Sequence, residues 1–155
     1  MAENPIRLEA NNRFERLSFS IESLIALFEH LCSLRPSHGL VGELSVAFLD
    51  DAKLIRIHSE FMEDPTVTDV ITFPGDSEDG LAGEICVSVN RAEAEATARG
   101  EPLAREMTLY LVHGWLHLVG FNDVDNADQR AMRQVEEETM NAVEKAGLVP
   151  DFRLA

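Results

Sequence analysis

The feature that most constrains the fold is an apolar run over residues 103–118, which continues into the sequence HGWLHLVGFND at residues 113–123. After Met107 nearly every side of this run is apolar, which predicts a central helix covered by other elements all round. A helix of that kind needs a substantial core around it. At 155 residues the chain is long enough to supply one, and we expect a single domain over residues 1–155.

Period-two alternation of apolar residues predicts four short strands. They are expected around residues 6–10, 44–48, 68–73 and 84–89. Helical spacing predicts helices over residues 20–34, after Asp50, over 90–98, over 103–118 and from Asn126 onward, with Asp50 and Asn126 as N-terminal caps. Residues 74–83, PGDSEDGLAG, are expected to form an acidic, turn-rich loop between the third and fourth strands.

The histidines of the central helix form a candidate metal site. His113 and His117 stand four residues apart, so on a helix both imidazoles lie on one face and can bind one ion. Gly120 can end the helix, because glycine adopts the left-handed conformation at little cost, and the turn can bring Asp123 to the same face. Two nitrogens and one oxygen leave a fourth zinc position open, as in catalytic sites.

A less specific interpretation is that the two histidines are buried core residues and that Asp123 is an ordinary loop acid. The complete HxxxHxxGxxD pattern, on the most apolar helix, favours the metal site. Gly114 occupies the position where HExxH zinc peptidases carry their general base, so a peptidase mechanism is unsupported.

A catalytic or proton-transfer acid therefore has to come from elsewhere in the chain. Asp69 and Glu84, on neighbouring predicted strands, are the candidates. For each of them the sequence is equally compatible with an ordinary acid that faces water at a turn or a strand edge.

Three segments carry a family resemblance. HGWLHLVGFND resembles the HGxLHLxGYDH signature of the bacterial rRNA maturation RNase YbeY family, and TDVITFP and GEICVS resemble its TDVLSFP and GDIxIS segments. The similarity runs over about residues 44–145. It implies an α+β fold with a mixed four-stranded sheet and one Zn²⁺ ion on the central helix. It also implies a single-strand-specific endoribonuclease activity in rRNA maturation, notably 16S rRNA processing, and in ribosome quality control.

By position, the family's zinc ligands fall on His113, His117 and Asp123, and the last of these is a histidine in the family. A carboxylate binds zinc at a comparable distance, so the site is expected to persist with a less positive ion. A second departure is Met62, which stands where the family commonly carries an arginine that meets substrate phosphate. Arg56 and Arg91 are the alternatives for that contact, although neither occupies the matching position.

Charge opposes an easy interaction with nucleic acid. The chain has 13 basic and 28 acidic residues, a net charge of −15, which repels phosphate backbones. A second hypothesis is therefore a ribosome-associated zinc-binding assembly factor with little nuclease activity. A metallohydrolase for a non-nucleic substrate is disfavoured by Gly114.

Location and partners are expected to follow from the same reasoning. No segment is apolar enough to span a membrane and the start lacks the features of a signal peptide, so we expect a cytoplasmic protein. Cys32 and Cys86 are expected to be free thiols. The expected partners are ribosomal RNA and the ribosome or its proteins, with no membrane and no DNA.

Overall fold

The computed structural model describes residues 6–34, 41–62, 69–121 and 125–155. In this part of the chain the elements are β1 (Ile6–Asn12), β2 (Leu17–Ser18), α1 (Ile21–Leu34), β3 (Gly42–Leu49), α2 (Asp51–Met62), β4 (Val70–Pro74), β5 (Leu81–Ser88), α3 (Val89–Arg99), α4 (Leu103–Leu118), α5 (Asn126–Lys145) and β6 (Arg153–Leu154).

The main sheet is mixed and has the strand order β1-β3-β5-β4. β1, β3 and β5 are parallel, and β4 pairs antiparallel with β5. The expected α+β class, with four strands in one mixed sheet and five helices, is confirmed. A second, two-stranded antiparallel sheet joins β2 to β6, and two residues per strand are too few to leave a periodic pattern in the sequence.

The strands of the main sheet differ from their predicted bounds by one to three residues at one or both ends, and the starts of β4 and β5 matter most for the site. β4 begins at Val70, so Asp69 precedes the strand instead of lying within it. β5 begins at Leu81, three residues earlier than expected, and part of the predicted loop is therefore strand. The strand can start early because Gly83 has a φ of 152° and lies in register with Leu44 of the central strand β3.

The helix starts differ by one residue. The hydroxyl of Ser88 accepts a hydrogen bond from the Arg91 amide at 3.1 Å, so α3 begins at Val89. At α5 the expected cap Asn126 is already helical, and the cap is Asp125, whose carboxylate accepts from the Asp128 amide at 2.8 Å. The Asp50 cap of α2 is confirmed, with its carboxylate accepting from the Lys53 amide at 2.8 Å.

The sheet separates two apolar layers of unequal size. On one face α1, α3, α4 and α5 pack around a large core, in which Phe28 and Trp115 meet edge to face at 5.9 Å between ring centroids. On the other face α2 covers a small cluster of buried residues: Ala47, Leu49, Leu54, Ile71 and Cys86. We call these the α4 face and the α2 face. β5 is buried on both, which is why its polar residue Ser88 is fully enclosed.

α4 lies close against the sheet because Gly114 has no side chain. A Cβ atom at this position would lie 2.8 Å from Cγ2 of Ile85 and 3.2 Å from Cγ2 of Thr72. Gly114 therefore has a packing role, since any larger residue would push the helix off the strands.

Two further predictions concern the two cysteines and membrane-spanning segments. Cys32 and Cys86 are both free, as expected. None of the helices in the described ranges combines the length and apolar character needed to cross a lipid bilayer.

Candidate active site

The end of α4 fixes the direction in which the chain leaves the histidine face. Gly120, with a φ of 112°, donates its amide to the His117 carbonyl at 3.1 Å, and Phe121 donates to the Leu116 carbonyl at 3.0 Å. This pair of bonds is the Schellman arrangement that closes a helix. The predicted helix stop at Gly120 is thus confirmed. The third predicted ligand, Asp123, lies outside the described residues.

The two histidines converge as their spacing predicts. Nε2 of His113 and Nε2 of His117 lie 3.0 Å apart, and the ring centroids are 4.6 Å apart at an interplanar angle of 76°. Both rings are partly exposed, although the helix that carries them is largely buried. The two ring nitrogens therefore face each other at the edge of the core.

A carboxylate from α5 orients the first of these rings. Oε1 of Glu136 lies 2.7 Å from Nδ1 of His113, and the two side chains are 15% and 25% exposed. A carboxylate accepts in such a contact, so Nδ1 donates and Nε2 keeps its lone pair. Metal-ligating histidines usually have this kind of partner.

Sequence reasoning names Asp69 and Glu84 as the candidate acids of the site and does not identify Glu136. A signal was available in the periodicity of α5. Glu136 follows Met132 by four residues and precedes Thr139 by three, and both of these are buried. An acid on the apolar stripe of a helix needs a buried partner, and a histidine is one of the few residues that can provide it.

Asp69 borders a cavity of about 520 Å³ that also reaches His113 and Glu136. The cavity lies between α3 and α4, at the end of the sheet where β5 leads into α3. The Asp69 carbonyl accepts the Ser88 amide at 2.9 Å, which fixes the backbone and leaves the carboxylate exposed. The structure therefore brings Asp69 to the same cavity as one predicted ligand.

Glu84 lies on the α2 face. It is paired in register with Phe73 and it shares a strand face with Cys86, whose Sγ donates to the Glu84 carboxylate at 3.1 Å. Burial and the nearby Glu84 carboxylate raise the pKa of the Cys86 thiol, so the thiol stays protonated and can donate. The structure does not bring Glu84 together with the histidines.

The wall of the cavity contains an ion pair between a buried glutamate and an exposed arginine. Glu106 is 1% exposed, and its two carboxylate oxygens lie 2.9 and 3.2 Å from Nη1 of Arg99. Burial raises the pKa of Glu106, while Arg99 opposes the shift. Arg99 also lies 3.4 Å from Glu95, so its charge is matched within the wall itself.

Tyr110 contributes an unusual polar atom to the same cavity. The residue is 4% exposed, and among the described residues its hydroxyl has no hydrogen-bond partner. Burial raises the pKa of this hydroxyl, and the carboxylates of Glu106, Asp69 and Glu95 raise it further. The group is therefore a neutral donor at physiological pH. Trp115 and Phe121 pack in or against the core.

Two arginines border the histidine site from opposite sides. Arg91 lines the first cavity and lies 3.9 Å from Glu95. Arg133 lines a second cavity of about 220 Å³, which also contacts His113 and Glu136. The other arginine suggested by the sequence, Arg56, is exposed on α2. The side chain of Met62 lies outside the described part of the structure.

The histidine pair fits a shared zinc ion. Two nitrogens bound to one zinc at about 2.0–2.1 Å are separated by roughly 3 to 3.4 Å, and 3.0 Å is observed between the two Nε2 atoms. Within residues 6–34, 41–62, 69–121 and 125–155 no third histidine, cysteine or carboxylate completes a ligand set. The third ligand predicted from the sequence, Asp123, is not among these residues.

Comparisons with a family model and with curated proteins match the chain to the same family. The family model described as "Endoribonuclease YbeY" matches residues 9–144. A curated Endoribonuclease YbeY from Protochlamydia amoebophila is 31% identical over 145 residues, covering 91% of this chain and 95% of the relative. The Endoribonuclease YbeY of Carboxydothermus hydrogenoformans is 30% identical over 125 residues, covering 79% and 87%.

A solved structure supports the fold independently. The solution structure of TM1509 from Thermotoga maritima superposes with a TM-score of 0.61 and 22% sequence identity, covering 89% of this chain and 88% of that one. At this identity the similarity supports the architecture of the sheet and helices and leaves the chemistry to be argued from the site.

Proposed function

Because the chain belongs to the Endoribonuclease YbeY family, we propose that it is a zinc-dependent endoribonuclease that cleaves single-stranded segments of ribosomal RNA. We further propose that it acts in the cytoplasm, in the maturation of 16S rRNA and in ribosome quality control. The observation that carries the proposal is the geometry of the histidine pair, with its two Nε2 atoms 3.0 Å apart and Glu136 on the far side of His113.

His113, His117 and Asp123 are the residues that would hold the ion. When bound, zinc supplies positive charge to a phosphoryl oxygen and lowers the pKa of water. Glu136 accepts the Nδ1 proton of His113, so the lone pair of Nε2 points away from Glu136 and towards His117. Gly114 allows the helix to hold both rings at the edge of the sheet.

Asp69 is the proposed proton-transfer residue. Its carboxylate is exposed in the cavity that reaches His113, so it can take a proton from an attacking hydroxyl or water that enters from that side. Which of the two nucleophiles attacks depends on the position of the RNA strand. The location of Glu84 on the α2 face gives it no comparable path to the substrate.

The test combines metal analysis with RNA cleavage. We expect wild-type protein to carry about one zinc ion per chain and to cleave single-stranded rRNA fragments. His117→Ala should lose both the zinc and the cleavage, and Asp123→Ala should lose most of the zinc. His30→Ala, on α1, is the matched histidine control and should keep both the zinc and the cleavage. Unchanged cleavage by a folded His117→Ala protein would refute the assignment.

Net charge favours a second candidate function. With a charge of −15, the protein repels free RNA, which suits a ribosome-associated assembly factor that uses zinc for structural support. In that case zinc-loaded protein should bind ribosomal subunits or a ribosomal protein and leave single-stranded rRNA intact. Cleavage that depends on His117 decides in favour of the nuclease.

A further inference from the structure

The two cavities beside the histidine pair share one wall. His113 and Glu136 line both of them, the larger between α3 and α4 and the smaller on the α5 side. A ligand that fills both cavities has to pass directly over His113. An extended polymer has this shape, whereas a compact molecule would occupy only one cavity.

Each cavity contributes one arginine whose charge is weakly matched. Among the described residues Arg91, in the larger cavity, has one ion pair, a distant one of 3.9 Å with Glu95, and Glu95 already lies 3.4 Å from Arg99. Arg133, in the smaller cavity, is exposed and has no ion-pair partner within the part of the chain that the structure describes. In a chain with more than twice as many acids as bases, two weakly matched guanidiniums flanking one site point to an anionic ligand.

The unpartnered hydroxyl of Tyr110 points to a polar ligand in the larger cavity. Buried hydroxyls nearly always have a hydrogen-bond partner, and an orphan group in a cavity wall commonly gains one from a ligand or water. Tyr110 is 4% exposed, and its hydroxyl has no hydrogen-bond partner among the described residues. A sugar hydroxyl is a suitable acceptor for this neutral donor.

From these observations we propose that a single RNA strand crosses the histidine pair through both cavities. Arg91 and Arg133 bind the phosphates on either side of the scissile one, and Tyr110 donates a hydrogen bond to a ribose 2′-hydroxyl. The inference rests on the proposed nuclease function. It adds the path of the strand and a reason for RNA to bind better than DNA, because only RNA carries the 2′-hydroxyl.

The experiment measures binding, so that it does not depend on cleavage. Fluorescence anisotropy with a single-stranded RNA and a DNA of the same sequence, in EDTA and over a range of salt concentrations, gives affinities and salt slopes. Arg91→Gln and Arg133→Gln should each weaken binding of both strands about five- to tenfold. Each should also reduce the slope of log K against log salt by about 0.7. Tyr110→Phe should reduce the preference for RNA over DNA by about fivefold.

Arg130→Gln is the matched control. Arg130 is exposed on α5, one turn before Arg133, and it lines neither cavity. If Arg91→Gln and Arg133→Gln weaken binding no more than Arg130→Gln does, the proposed path is wrong. If Tyr110→Phe keeps the full preference for RNA, the sugar contact is wrong.

Cleavage by zinc-loaded wild-type protein separates this inference from the proposed function. Cleavage together with unchanged binding by the arginine variants would overturn the path and leave the nuclease assignment standing. Absence of cleavage together with the expected binding losses would support the path and overturn the nuclease assignment.

Discussion

The two faces of the sheet carry acids that look equivalent in the sequence but have different surroundings. On the α4 face Asp69 borders a polar cavity that reaches His113, and α3, α4 and α5 supply further charged groups around it. On the α2 face Glu84 accepts a hydrogen bond from Cys86, beside a small apolar cluster under a single helix. The difference teaches that acids that look alike in the sequence acquire their chemistry from what packs over them. Three helices line the cavity at Asp69, whereas Glu84 contacts a thiol of its own strand.

The largest expected effect tests whether the two layers are separable. Leu54, under α2, and Leu111, on α4, are both fully buried. Leu54→Ala and Leu111→Ala should each reduce the free energy of unfolding by about 2–5 kcal/mol, because each leaves a cavity in a packed layer. Only Leu111→Ala should also weaken zinc binding by the folded protein, since its helix carries both histidines. Denaturant unfolding and zinc titration measure the two effects.

Wild-type zinc affinity in both leucine variants would show that the site does not depend on the packing of α4. Equal losses of affinity would show instead that the sheet transmits disturbances from one face to the other. Either result would break the separation of the two faces.

Glu136→Gln should have the next largest effect on the site. Loss of the carboxylate that holds Nδ1 of His113 at 2.7 Å should lower zinc affinity about 10- to 100-fold. Glu137→Gln, one residue along α5 and exposed, is the matched control and should leave the affinity unchanged. The same substitution at Glu84 tests the acid of the α2 face, and we expect wild-type zinc affinity and cleavage. Zinc competition with a chromophoric chelator measures all three variants.

Gly114→Ala should destabilise the protein by about 1–3 kcal/mol, because the added methyl group would lie 2.8 Å from Cγ2 of Ile85. The higher helix propensity of alanine offsets about 1 kcal/mol at most. Ile85→Ala removes the clashing atom, so the double variant should be more stable than the sum of the two single effects. Strictly additive effects in this double-mutant cycle would show that α4 does not need the glycine for its contact with β5.

The sequence was sufficient for the four strands of the main sheet, for the helices and for the local part of the site, whereas the two-residue strands β2 and β6 left no pattern in it. The spacing of His113 and His117 and the stop at Gly120 depend on one helix and its cap, so the residues themselves encode them. Asp69 could not be placed in this way. A strand over residues 68–73 would put Asp69 on the same face as Ile71, which lies on the α2 face. β4 starts after Asp69, and strand parity does not apply to a residue that precedes the strand.

Glu136 and Arg133 illustrate a second limit of sequence reasoning. Both lie on α5, and their meeting with His113 depends on how α5 packs against α4. A single sequence specifies the apolar stripe of each helix and leaves the rotation between two packed helices open, because several ridge-and-groove arrangements bury the same stripe. The contacts between helices therefore became visible only in the structure.

The smallest expected effect concerns the edge of the larger layer, far from the histidines. The carboxylate of Asp151 accepts the Ser20 amide at 2.7 Å and the Ser23 hydroxyl at 2.9 Å, which ties the segment before β6 to the start of α1. The Ser20 amide, followed by the Ser23 hydroxyl, lowers the pKa of Asp151 below its ordinary value of 3.8. A lowered pKa means that the folded state favours the ionised form. The resulting stabilisation is complete above the unfolded-state pKa and is lost as the pH falls through the folded-state value.

Asp151→Asn should therefore flatten the pH dependence of stability on the acid side. The amide oxygen of asparagine still accepts the Ser20 amide, so the variant keeps the local structure but has no carboxylate to protonate. Thermal unfolding midpoints measured from neutral pH down to about pH 3 should fall less steeply for the variant than for the wild type. Parallel curves would mean that Asp151 is not a titrating contact of the folded state. Because Asp151 is remote from α4, zinc content should stay unchanged in this variant, and any loss would show that the edge of the α4 face is coupled to the histidine pair.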